Sequence, residues 1–80
     1  MAANRGQLRW RCRRGMKELD VLLLRFLEED YTAAGVPLQA AFEAVLELPD
    51  PEILGYLFGR ASPASQEMTH VVARLASYRT

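Results

Sequence analysis

Residues 17–31 read KELDVLLLRFLEEDY and form the longest stretch of helical periodicity in the 80-residue chain. Large apolar side chains recur there at the i, i+3, i+4, i+7 and i+8 spacing that places residues on one face of a helix. The members of this stripe are Leu19, Leu22, Leu23, Phe26 and Leu27. Val21 and Leu24 fall outside it. The stretch predicts an amphipathic helix, and Val21 and Leu24 mark either a wide core face or an exposed apolar contact surface.

Four shorter helices are predicted around this one, each with its own apolar stripe. In the fourth helix the residues expected to face the core are Ile53, Leu54, Leu57 and Phe58. Gly15 separates the first from the central helix, and Gly59 is a typical helix terminator. Asp50 is expected to cap the fourth helix, and Ser62 the fifth, because each precedes a proline suited to the first helical position. The predicted spans are 7–13, 37–48, about 51–59, and a last helix from residue 63 to about residue 78.

The whole pattern indicates an all-α fold. No segment alternates with the period of two that a half-buried strand requires. Eighty residues allow one small domain, and half of them are hydrophobic, which is enough for a core. We therefore predict a small five-helix bundle, a single domain over residues 1–80, with residues 1–6 frayed.

Charge divides the chain into a basic arm and an acidic body, although the formal net charge is zero. Residues 1–17 carry six cations and no acid, and residues 18–52 carry nine acids and one cation, Arg25. Such asymmetry indicates either an acidic or phosphorylated partner for the arm or an arm that folds back on its own body.

The sequence offers little for catalysis or metal binding. Cys12 is the single cysteine and His70 the single histidine, so the two could form a zinc site only with carboxylates or a second chain. A lone cysteine is typical of a reducing compartment. Cys12 is expected to pack as a small hydrophobe, and His70 to be exposed. We expect no catalytic residue, no metal and no stably bound cofactor.

The junction at residues 13–18, RRGMKE, is the first candidate site. A glycine permits backbone conformations closed to other residues and close approach of another surface. Arg14 supplies a planar fork of donors, and Glu18 could accept from a partner or from a free helix N-terminus. Simpler alternatives are a turn at Gly15 and a local Arg14–Glu18 salt bridge. Trp10 fits core packing and an interface about equally well.

A family resemblance favours the functional alternative. Residues 10–20, WRCRRGMKELD, resemble the signature of the small succinate dehydrogenase assembly factors, the bacterial flavinator proteins and their mitochondrial relatives, which share an Arg-Gly-x-x-Glu motif. The similarity continues through Phe26, residues 28–31 and the Asp-Pro-Glu at 50–52, and covers roughly residues 8–78. Tyr56 stands where the family often has tryptophan, and residues 33–37 lack the usual polar helix start.

The resemblance implies a helical bundle that binds the flavoprotein subunit of succinate dehydrogenase, and also of fumarate reductase in bacteria. Such a protein promotes covalent attachment of FAD to a histidine of that subunit, acting as a chaperone and not as an enzyme. FAD then belongs to the client, and the chain is expected to be a monomer. Carried over residue by residue, the partner-binding positions are Arg14, Gly15 and Glu18, with Trp10, Arg13 and Lys17 beside them.

Three other functions are open from the sequence. The basic arm could belong to a nucleic-acid-binding module, although the acidic body argues against it. A small enzyme could use Glu28 or His70 as its acid–base group, and a general helical adaptor could use Val21, Leu24 and the basic arm. No apolar run approaches the length of a membrane span, and no signal peptide is expected. The predicted location is the bacterial cytoplasm, or the mitochondrial matrix in a eukaryote.

Overall fold

The computed structural model describes residues 4–79 of the chain. This part contains five helices, joined by turns and loops, and no strand. The second helix continues without a break into a π-helical turn, Phe26–Asp30, so that together they cover residues 17–30 of the predicted span 17–31. The prediction of an all-α, five-helix fold is confirmed. The helices are α1 (Arg5–Arg11), α2 (Lys17–Arg25), α3 (Val36–Leu46), α4 (Asp50–Leu57) and α5 (Gln66–Ser77).

The core lies between the stripe of α2 and the apolar faces of the later helices. All five residues of the predicted α2 stripe are buried, whereas Val21 is 55% exposed and Leu24 is half-buried. Phe42 of α3 is fully buried, and its ring stacks on that of Phe26 with 4.6 Å between centroids. α3 packs mainly against α5, and α1 closes the core with Leu8. The hydrophobic periodicity therefore placed the main core residues correctly.

The π-helical turn at the end of α2 was not predicted. The Tyr31 N–H donates to the Phe26 carbonyl oxygen at 2.8 Å, five residues back instead of four. The turn leaves Phe26 and Leu27 buried and places the Asp30 carboxylate next to α5. There it accepts hydrogen bonds from the Tyr78 hydroxyl and from Arg74.

The predicted N-cap of α4 is wrong. Pro49 occupies the N-cap position, and Asp50 is the first helical residue. The Asp50 carboxylate does not cap its own helix because it binds Arg14, thirty-six residues earlier in the chain. The predicted end of α4 is confirmed: Gly59 has φ of +76°, and Arg60 N–H donates to the Gly55 carbonyl oxygen at 2.8 Å.

Two other helix starts differ from the prediction. α5 begins after Ser65, whose hydroxyl accepts from the Met68 N–H at 3.0 Å, so the predicted cap Ser62 lies outside the helix. α1 begins at Arg5, because the Asn4 side chain accepts from the Gln7 N–H at 2.8 Å. Residues 4–6 therefore open a helix, and the rest of the segment predicted to fray, residues 1–3, lies outside the described residues.

Candidate partner-binding site

Gly15 forms an open hinge between α1 and α2. Its φ is +86°, a left-handed conformation that side-chain-bearing residues rarely adopt. The residue is exposed, and beyond Gly15 and its two chain neighbours no heavy atom of the described residues lies within 4 Å of the position that a Cβ would occupy. The backbone at Gly15 can therefore be reached by another molecule.

The Arg14 side chain, in contrast, points into the protein and is only 14% exposed. Its Nε lies 2.8 Å from Asp50 Oδ1. Its two Nη atoms donate to backbone carbonyl oxygens, those of Arg11 at 3.1 Å, Leu46 at 2.8 Å and Leu48. Leu46 is the last residue of α3, where carbonyl groups lack helical partners and a cation is favourable, and Leu48 lies in the connection to α4. We call this set of contacts the Arg14 clasp.

A hydrogen bond also fixes the backbone next to Gly15. The Arg14 N–H donates to Asp20 Oδ1 at 2.7 Å, so a carboxylate in the first turn of α2 fixes the residue before Gly15. The alternative of a local salt bridge between Arg14 and Glu18 is wrong, because Arg14 is committed to Asp50. The clasp and Asp20 together fix the hinge from its inner side, which lets its outer side stay open.

The remaining predicted site residues lie on the surface. Trp10 is 75% exposed, so the core-packing alternative for it is wrong. Arg13, Lys17 and Glu18 are exposed, and none of the three forms an ion pair or a side-chain hydrogen bond within residues 4–79. Arg13 and Trp10 line a shallow groove beside Leu24. The hinge is thus surrounded by side chains that are free to contact a partner.

The basic arm folds back on the acidic body. Arg9 pairs with Glu28 of the π-helical turn at 2.6 Å, and Arg11 pairs with Glu47 after α3. Arg5 donates to the Leu27 carbonyl oxygen at 2.7 Å. With Arg14 in the clasp, four of the six N-terminal cations are engaged inside the chain. The arm therefore presents few free charges to nucleic-acid phosphates, which weakens the nucleic-acid alternative.

The sequence offered Cys12, Glu28 and His70 as candidates for catalysis or metal binding. Cys12 is fully buried, and burial raises the pKa of its thiol to about 11, so it is not a reactive thiolate. His70 is exposed, as predicted, and Glu28 is paired with Arg9. No group of three or more potential metal ligands occurs between residues 4 and 79. No helix in the same range is both long enough and apolar enough to cross a membrane.

Asp50 and Asp20 contact Arg14 but were not predicted to belong to the site, and Asp50 was expected to cap α4. Both stand in the stretches that carry the family resemblance, but their local sequence contexts indicate only helix starts. Their contact with Arg14 depends on how α2, α3 and α4 come together, and no local signal specifies it.

Comparison with known proteins shows the family of the chain. Residues 6–79 match the family model described as "Flavinator of succinate dehydrogenase". A protein named FAD assembly factor SdhE from Coxiella burnetii is 38% identical over 69 residues, which cover 86% of this chain and 84% of the relative. Proteins of the same name from a Serratia species and from Yersinia pseudotuberculosis are 33% and 32% identical, covering 88% and 92% of this chain and 80% and 84% of theirs. The chain therefore belongs to the family of succinate dehydrogenase flavinators.

Proposed function

We propose that this chain binds the flavoprotein subunit of succinate dehydrogenase and promotes covalent attachment of FAD to it, without making the bond itself. One observation carries the proposal. The Gly15 hinge is open to solvent on its outer side and is held by the Arg14 clasp on its inner side. A preformed, exposed hinge in a family of flavinators is well suited to docking a client protein.

Each residue of the motif has a different role in this proposal. Gly15 lets the client approach the backbone closely, and Glu18 offers an unpaired carboxylate to client donors. The contact with the client extends around the hinge to three exposed side chains, Trp10, Arg13 and Lys17. Arg14 acts from inside, because its donors are already used by Asp50 and the carbonyl groups of the α3–α4 connection. We therefore assign Arg14 to positioning the hinge and not to direct contact.

The bond-forming chemistry in this proposal belongs to the flavin and to a histidine of the client. The chain holds the client so that these two groups lie in a reactive geometry shielded from water. FAD is bound by the client, and the chain acts as a monomer in the bacterial cytoplasm. The flavoprotein subunit of fumarate reductase is a second client, since it would present the same acceptor chemistry.

Glu18→Gln tests the proposal, with Glu67→Gln as its matched control. Both glutamates are exposed in the first turn of a helix, and neither forms an ion pair within residues 4–79. The two substitutions therefore remove the same charge from the same kind of helix position. Only Glu18 lies beside the hinge.

The measurement is the rate of covalent flavin incorporation into the purified, flavin-free flavoprotein subunit encoded by the same genome, followed by in-gel flavin fluorescence after denaturation. We expect Glu18→Gln to lower the rate by at least about tenfold, since loss of one partner of a buried charged contact costs roughly 2–5 kcal/mol. Glu67→Gln should match the wild type. Equal rates for all three proteins would contradict the site, and no stimulation by the wild type would contradict the function.

A further inference from the structure

Six of the ten lysine and arginine side chains are engaged by oxygen atoms of the described residues, and the other four occupy a few positions on the surface. The chain has ten lysines and arginines. Five of them pair with carboxylates in the described part of the chain: Arg9, Arg11, Arg14, Arg25 and Arg74. Arg5 is held by hydrogen bonds to Thr32 and to the Leu27 carbonyl oxygen. The cations without an oxygen partner among residues 4–79 are Arg13, Lys17, Arg60 and Arg79.

Arg60 and Arg79 converge on one exposed aromatic ring. The guanidinium carbon of Arg79 lies 4.7 Å from the centroid of the Phe58 ring, and that of Arg60 lies 5.6 Å from it. Phe58 was expected to face the core, yet it is 44% exposed. The cation–π contacts hold the two arginines over the ring without neutralising their charge. We call these three residues the Phe58 patch.

The Phe58 patch is continuous with the Gly15 hinge. Arg79 lines a shallow groove of about 570 Å³ together with Lys17 and Glu18, the two charged residues that follow the hinge. Val21 and Tyr78 supply apolar surface in the same groove. The groove thus links the start of α2 to the end of α5, and the contact of Arg79 with the Phe58 ring extends this surface to the end of α4. All four unpaired cations lie along this connected surface or on the other side of the hinge.

We infer that the Phe58 patch and its groove form a second half of the client-docking surface and bind an acidic segment of the flavoprotein subunit. The inference rests on the proposed function. Charge complementarity carries it: three cations, Lys17, Arg60 and Arg79, and one carboxylate, Glu18, lie on this surface, in a chain whose net charge is zero. Client carboxylates would pair with Arg60, Arg79 and Lys17, and a client apolar side chain would cover the Phe58 ring.

A protein segment fits this surface better than a nucleic acid does. Glu18 stands inside the groove and would repel phosphates that run along it. Val21, Phe58 and Tyr78 offer aliphatic and edge contacts of the kind found in protein interfaces, and the zero net charge provides no long-range attraction for a polyanion.

The double variant R60Q/R79Q tests the inference against the control R5Q/R74Q. Each removes two positive charges, but Arg5 and Arg74 lie outside the groove and are held by other contacts. The experiment measures the association rate constant of each protein with the purified, flavin-free flavoprotein subunit at about 0.05 M and about 0.5 M NaCl, because exposed charges are screened over a few ångströms at high salt. Thermal unfolding of each variant verifies that it is folded.

For R60Q/R79Q we expect association about tenfold slower than wild type at low salt, with the difference shrinking at high salt, and near-normal association for R5Q/R74Q. Equal rates for the two variants would overturn the inference while leaving the proposed function intact. Failure of the wild type to bind would overturn both. Tight binding of a single-stranded oligonucleotide by the wild type, lost in R60Q/R79Q, would also overturn the inference by assigning the patch to nucleic acid.

Discussion

Arg14 and Gly15 are adjacent in the chain but differ in their surroundings. The Arg14 side chain points into the protein, whereas the Gly15 backbone is open to solvent. The Arg14 guanidinium is satisfied by one carboxylate and three carbonyl oxygens of the protein itself. Gly15 has a left-handed backbone and open space around it. A short motif can therefore combine an inner anchor with an outer contact point, and substitutions at the two positions should fail for different reasons.

Gly15→Ala should destabilise the protein, and Gly55→Ala should not. An alanine at φ of +86° is strained even where space is open, at a cost of roughly 1–2 kcal/mol of unfolding free energy. Gly55 lies inside α4 with ordinary helical geometry and nothing within 4 Å of its Cβ position, so alanine there should add roughly 0.5–1 kcal/mol. Urea unfolding of both variants measures these changes. A gain in stability from Gly15→Ala would contradict the hinge geometry.

At the scale of elements, helix bodies were more predictable than helix starts. The stripes of α2, α3 and α5 depend on a periodicity that a short window of sequence contains. Helix starts depend on which of several candidate side chains reaches a free N–H group. Ser62 with Pro63 and Ser65 both look like the start of α5, and Ser65 is the residue that makes the capping bond. The π-helical turn continues the same apolar periodicity as α2, so the periodicity does not distinguish it from an α-helix.

Ser65→Ala and Ser62→Ala distinguish the observed helix start from the predicted one. Ser65 accepts the Met68 N–H, and loss of such a cap costs about 1 kcal/mol. Ser62 lies before the helix and makes no side-chain hydrogen bond within residues 4–79, so its substitution should change the unfolding free energy by less than about 0.5 kcal/mol. The reverse ranking in thermal or urea unfolding would place the start of α5 at residue 63.

At the scale of the whole molecule, contacts distant in sequence determine the site. The hydrophobic pattern and the resemblance predicted the fold class and the exposed hinge, because both are local properties. The Arg14 clasp joins residue 14 to residues 46–50, and the Phe58 patch joins residues 58, 60 and 79. Neither could be predicted, since a free arginine and a clasped one have the same local sequence. The same holds for Phe58, whose helical position indicates the core.

Arg14→Ala should cost far more stability than Arg9→Ala. Arg14 and Asp50 are 14% and 26% exposed, and removing Arg14 leaves a half-buried carboxylate and several carbonyl groups without partners. We expect a loss of roughly 3 kcal/mol, the range seen when a buried pair is broken. Arg9 and Glu28 are 57% and 46% exposed, so their pair should contribute less than about 1 kcal/mol.

Urea unfolding of the two alanine variants checks this ranking. Arg14→Lys is a useful third variant, because it keeps the charge but not the fork of donors. If Arg14→Ala unfolds like the wild type yet no longer promotes flavin attachment, Arg14 contacts the client directly, and its positioning role is wrong.

Acid should weaken the link between the π-helical turn and α5. The Tyr78 hydroxyl donates to Asp30, and this hydrogen bond, helped by Arg74, lowers the pKa of the Asp30 carboxyl below its ordinary value of 3.8. The folded state therefore binds this proton less readily than the unfolded state does. The contribution of the ionised Asp30 carboxylate to the unfolding free energy is therefore present above about pH 4, and it disappears as the pH falls through the lowered pKa. Asp30→Asn should remove it at neutral pH.

The check is the unfolding free energy of wild type and Asp30→Asn at a series of pH values between about 2 and about 7. The difference between the two proteins should be largest near neutrality and should narrow in acid. A constant difference across the series would mean that the Asp30 charge does not contribute to stability.

The exposed indole beside the hinge gives the protein a built-in optical probe. Trp10 is the single tryptophan of the chain, and three quarters of its side chain is in water. Indole emission moves to shorter wavelengths when water around the ring is replaced by an apolar surface. The ultraviolet emission of the unlabelled chain would therefore report, in real time, whether anything has covered this part of its surface.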